Sequence, residues 1–198
     1  NVNFVFAGSE RHLISEMFLS SAKPFFNSTT QIELHSIVPE EYIPFVCKWF
    51  RAYQKNIDER DVQKVYQLFE GNTYCMQRTF HEAFINTSSD ETCTLDIIRK
   101  SLADIIEDNS HAYSRMLSQI PVRQKELLYA IAKEGKAEKI TGGTFIKKHT
   151  LLSASSVQAA MKKLLDLDLI TTDNGYYTIP DHFFSLYIRK LMECEEGL

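Results

Sequence analysis

Residues 153–179 read SASSVQAAMKKLLDLDLITTDNGYYTI, and this stretch decides the fold. Val157, Ala160, Met161, Leu164 and Leu165 recur at i, i+3, i+4, i+7 and i+8, the period of a helix with one buried stripe. Asn174-Gly175 follows, a pair that supplies the two positive φ angles of a type I′ turn. With Ile170 before it and Tyr176-Tyr177 after it, that turn makes a miniature hairpin.

The residues upstream extend the pattern. Pro121 opens PVRQKELLYAIAKEG, with Leu127, Leu128, Ile131 and Ala132 on one stripe and Gly135 as a stop signal. EKIT (138–141) reads as a short strand and GGTFIKKHT (142–150) as a short helix. Helix, strand, helix, helix, hairpin is the layout of a winged helix. Its third helix offers Ser155, Gln158, Ala159, Lys162 and Lys163 outward. Serine and glutamine can bond base edges or phosphates, and lysine neutralises phosphate. Lys147, Lys148 and His149 on the preceding helix add charge beside them. The same residue types also make an ordinary solvated helix face. The outward face has no arginine for bidentate guanine contacts, and the wing tip carries Asp173. The expectation is weak, largely sequence-independent DNA binding, or a protein-docking surface.

Before this module the chain is almost wholly helical. The segments 39–54, 58–71, 73–87 and 94–120 each repeat apolar residues at helical spacing, the last placing Leu95, Ile98, Leu102, Ile105 and Ile106 on one face. The opening, NVNFVFAGSERHL (1–13), differs: an apolar run stops at Gly8-Ser9, as in a strand buried on both faces of a parallel sheet. Ser9 can cap a short helix through ERHLISEMF (10–18), and QIELH (31–35) alternates as a second strand. The expected fold is mainly α with small β. Its divisions are 1–35 as a sheet remnant, 36–118 as a helical bundle, and 119–198 as the winged helix with a C-terminal helix.

Composition narrows the function classes. The 198 residues carry a net charge of −4, divided as −5 over 1–120, +4 over 121–191 and −3 over 192–198. Only the winged-helix part invites a polyanion. No apolar run approaches the ~18–20 residues that span a bilayer. Cys47, Cys75, Cys93 and Cys194 stand apart with no CxxC pair, so no metal site is expected. Reduced thiols in a cytoplasmic protein are the expected state.

In its order of segments the chain resembles the C-terminal half of a prokaryotic or archaeal AAA+ ATPase, of the group related to origin-recognition initiators and signal-transducing NTPases. The resemblance rests on FVFAGSERHLISEMF (4–18), KPFFNSTTQIELHSI (23–37), YQLFEGNTYCMQRTFHEAF (66–84) and the run from Phe145 to Ile188, closing in Y-x-I-x-D-x-F-F. It implies that the opening strand belongs to the ATPase core sheet, with Ser9 as the polar sensor of the γ-phosphate. A helix cap remains the alternative role for Ser9. Residues 36–118 would be the lid over the nucleotide. A Gly-Gly-x-Pro element near the adenine corresponds to Gly71-Asn72-Thr73-Tyr74, without the proline. Arg78, one turn further, is a candidate for the second sensor arginine, and PFFNST (24–29) lacks the arginine finger.

No GxxxxGK[ST] occurs anywhere, no strand ends in paired acids, and no lysine follows Gly142-Gly143 at the required spacing. The expectation is that ATP and Mg are held by a longer parent with the P-loop upstream, and that this chain alone holds neither. The lid would then reposition the winged helix against DNA or protein. A nucleotide-free winged-helix regulator and a protein-interaction module are the rival readings. An exposed edge strand in residues 1–35 would favour pairing with another chain, so homo-oligomers are a further expectation.

Overall fold

Polar side chains of Asp58, Asn72, Thr94, Ser153 and Asp181 set where five of the helices begin. The computed structural model describes residues 4–8, 11–30, 32 and 34–196, in two units, Asn1–Ser36 and Ile37–Leu198. In the first unit, α1 (Arg11–Leu19) carries Phe18, a buried ring 5.3 Å from Phe6 and 6.1 Å from Phe25 between centroids. The Asn27 N–H donates to the Phe18 carbonyl at 3.0 Å, closing the turn beyond the helix.

The strands expected here do not form among the described residues. Phe4, Val5 and Phe6 are 76%, 92% and 59% exposed and outside any strand, as are Ile32 and Leu34. A strand exists through hydrogen bonds to neighbouring strands, and no described residue of this unit is in one. Ser9 lies outside the described residues, and with it both roles expected of that side chain.

The second unit opens with α2 (Pro39–Ala52), which has Pro39 at its start and Glu40 and Glu41 in its first turn, and which continues through Pro44. Phe45, Trp49 and Tyr53 line its exposed side, with successive rings 6.3 and 6.5 Å apart. Then come β1 (Asn56–Ile57) and α3 (Glu59–Leu68), capped by Asp58, whose Oδ1 accepts the Arg60 N–H at 2.8 Å. Next are α4 (Thr73–Ile85), β2 (Thr92–Cys93), α5 (Leu95–Asp108) and α6 (Ser110–Ser118). β1 and β2 pair in parallel, setting Ile57 opposite Cys93, both buried.

The single helix expected from Leu95 onward divides at Asn109. Its Nδ2 donates to the Ile105 carbonyl at 2.8 Å, a side-chain bond that competes with the helix ladder.

The remaining elements are α7 (Val122–Glu134), β3 (Ala137–Glu138), α8 (Gly143–Lys148), α9 (Ala154–Asp166), β4 (Thr171–Asp173), β5 (Tyr176–Thr178) and α10 (His182–Glu196). β3, β5 and β4 form an antiparallel sheet in that order. The hairpin turns on Asn174 and Gly175, at φ 50° and 82°. β3 lies a residue ahead of the expected EKIT strand, and Ile140 goes into the core at 2% exposure. One hydrophobic cluster runs from Tyr42 of α2 to Ile188 of α10 without a break between bundle and C-terminal module. The fold is mainly α with small β.

Candidate functional site

Ser153 begins α9 by accepting the Ser156 N–H on its Oγ at 3.2 Å. Val157, Ala160 and Leu164 are buried, at 3%, 4% and 0% exposure, on the side that packs on α7. The opposite side is therefore set by the same period, and Ser155, Gln158, Ala159 and Lys162 are exposed along it.

The four lysines of this region are not equivalent. Lys148 Nζ sits 2.7 Å from Glu134 Oε1, an oxygen it shares with His149 Nε2, also at 2.7 Å. The Lys148 hydrogen bond, and after it the His149 bond, holds the Glu134 carboxyl below the usual carboxylate range. Lys163 faces Asp166 at 3.9 Å, one turn along the helix. Lys147 and Lys162 are exposed, and among the described residues neither forms an ion pair. The wing tip, Asp173-Asn174-Gly175, is exposed and carries only the acid, while Leu152 and Leu167 stand exposed at either end of α9. This face offers two free cations, a few neutral hydrogen-bonding groups and some apolar surface.

The other expected site residues lie in the bundle. Gly71, at φ 77°, closes the α3–α4 turn in a conformation that favours glycine. Asn72 Oδ1 accepts the Cys75 N–H at 3.0 Å and caps α4, so that side chain is committed to the helix start. Thr73 and Arg78 are exposed on α4, which packs chiefly on α5. Thus Gly71, Asn72, Thr73 and Arg78 form one locus, and Lys147, Lys148, Ser155, Gln158, Lys162 and Lys163 another, on separate helices. Among the described residues no group of three histidine, cysteine or acidic side chains is placed to hold a metal ion.

Sequence reasoning missed the polar joint at the start of α10. Asp181 Oδ1 accepts the Phe184 N–H at 3.0 Å, and its Oδ2 accepts the Tyr113 hydroxyl at 3.1 Å. Burial, with Asp181 as the lesser cause, pushes the nearby Cys75 thiol up to about 12. The partners stand 68 residues apart, so no local pattern announces them.

Residues 111–190 match the family model of a probable winged helix domain. This part of the chain is a winged helix. α7, α8 and α9 are its three helices, β3, β4 and β5 its sheet, and the Asn174-Gly175 hairpin its wing. No curated protein matches the chain. Among solved structures, the Walker-type ATPase of Pyrococcus abyssi is similar in fold, with a TM-score of 0.58 at 15% identity over 92% of this chain and 51% of the ATPase chain. The chain spans about half the length of that ATPase. No helix among the described residues is long and apolar enough to cross a membrane.

Proposed function

We propose that this chain is the bundle and winged-helix portion of an ATPase-type protein, and that the winged helix is its docking element. The observation that carries the reading is the likeness of fold to a Walker-type ATPase, which covers 92% of the chain. ATP and Mg belong, in this reading, to the remainder of the parent protein, and the setting is cytoplasmic. The residues present do not by themselves fit a magnesium nucleotide. The sequence has no P-loop, Asn72 is committed to its cap, and Arg78 is a lone guanidinium on an exposed helix face. No catalytic step is therefore assigned to this chain.

For the docking partner, the geometry supports weak, sequence-independent contact with DNA phosphates through Lys147 and Lys162. The exposed Leu152 and Leu167 and the acidic wing tip favour a second reading, a protein partner. A duplex titration against salt distinguishes them. Two phosphate contacts give a slope of log K on log salt of about −2, and Lys147→Ala and Lys162→Ala each remove about one unit. Lys148→Ala and Lys163→Ala, whose charges are already paired, change it less. No binding at low salt, or binding indifferent to salt, would refute the DNA reading and leave the protein one. Saturable tight ATP binding by this chain alone would refute the assignment of nucleotide to the parent's remainder.

A further inference from the structure

Where α10 begins, three ring contacts join the winged helix to the bundle, beside the packing of α10 on α5. The Phe183 ring meets Phe69 at 5.5 Å and Tyr74 at 6.3 Å, nearly edge-on at 71° and 73°, and His182 meets Phe69 at 5.9 Å and 82°. Phe69 and Phe183 are only 1% and 3% exposed, so the seam is dry at its centre. Ion pairs flank it: Glu70 with Lys136 beside β3, and Glu107 of α5 with Lys190 of α10 at 3.7 Å. The bundle side of this seam is the α3–α4 turn, residues 69–74, which includes Gly71, Asn72 and Thr73.

A seam of interlocked rings has discrete arrangements rather than a continuous range. Sliding it by an ångström or two opens volume that neither water nor side chains fill, and the lining atoms lose their contacts outright. Domains joined by a polar, wet interface move by default, whereas a large hydrophobic one suppresses that motion. Here the hydrophobic cluster is continuous across the joint. Within the residues matched as the winged helix, the Tyr113 to Asp181 bond fixes α6 to the first turn of α10.

We propose that the bundle and the winged helix reorient as one rigid body, clamped where α10 meets the α3–α4 turn, so that a load on α9 is delivered to residues 69–74. The winged helix then has no hinge of its own, and any change in its direction carries the bundle with it. The regulatory use of this clamp rests on the ATPase reading above. The clamp itself does not, so its test needs neither nucleotide nor DNA.

The test places spin labels at Gln77→Cys on α4 and Thr172→Cys on β4, both exposed, in the full chain with Cys194→Ser; Cys47, Cys75 and Cys93 are buried. Pulsed electron resonance is expected to give one narrow distance distribution. Adding Phe69→Ala is expected to broaden it or introduce a second distance, with circular dichroism checking that the variant is folded. Phe183→Leu, which removes the ring edges but keeps most of the volume, is expected to broaden it less. A broad or two-peaked distribution in the parent chain would overturn the proposal whatever the variants do. A folded Phe69→Ala chain with the parent's narrow distribution would overturn the role given to this seam. Failure of DNA or ATP binding would bear on the functional reading alone.

Discussion

Truncating one winged-helix residue should be felt in the bundle, and Phe183→Ala is the substitution that reads this. Phe183 is buried and meets two rings of the bundle, Phe69 and Tyr74. Returning its side chain to solvent forfeits about 1.5–3 kcal/mol of burial. Each lost edge-on ring contact adds about 0.5–1.5 kcal/mol. With incomplete collapse of the site the total falls at about 3–5 kcal/mol, the usual span for a core phenylalanine cut to alanine. At a urea dependence of about 2 kcal/mol per molar, the unfolding midpoint drops by roughly 2 M. The chain has a single tryptophan, Trp49 on α2, half exposed and ring to ring with Tyr53, which makes its emission a local probe of the bundle. Urea titrations followed by Trp49 emission and by far-ultraviolet circular dichroism should move together by that amount. A Trp49 midpoint that stays in place, or moves by less than about 0.5 M, would refute the reasoning, because Phe183 would then stabilise only its own module.

Further outcomes follow from single positions. Gly175→Ala places a Cβ at φ 82° with no heavy atom within 4 Å of it, so its cost is backbone strain alone, about 1–2 kcal/mol. A thermal or urea shift near that size checks it, and no shift would mean that the wing relaxes its turn. Glu134 is held below the usual carboxylate range by Lys148 and then His149, so its contribution to stability is present above the unfolded carboxylate pKa and is lost as pH falls through the lower folded value. The deficit of Glu134→Gln against the parent chain should therefore be larger at pH 7 than in acid, measured by urea midpoints across that range. A deficit that grows on acidification contradicts the assignment.

The winged helix was legible because its signals are local. The stripe from Val157 to Leu165 and the Asn174-Gly175 pair each occupy a few consecutive turns, and the structure buries and bends them as the periodicity requires. Asp58 and Gly71 likewise mark where α3 and its turn begin and end. What was not legible depends on partners distant in the chain. The β1–β2 pair is only two residues on each side, too short for any alternation, and it is specified by the packing of Ile57 and Cys93 into the bundle. The expected strand at Phe4–Phe6 was read from apolar residues alone, and strands need partners that such a run does not name. At the candidate face, spacing gave the outward positions of α9, but only geometry separates the paired lysines, 148 and 163, from 147 and 162.

Asp181 divides its two oxygens between tasks that belong to different distances along the chain, and this restricts what can replace it. Serine or threonine would still start α10 but would take from the Tyr113 hydroxyl its carboxylate acceptor. Asparagine could serve both only if that hydroxyl turned from donor to acceptor toward the amide nitrogen. Glutamate reaches further and would have to surrender the helix start to keep the tyrosine. Substitution at this position thus has an alphabet of about two letters, and an amide there would reverse the direction of one hydrogen bond without moving the backbone.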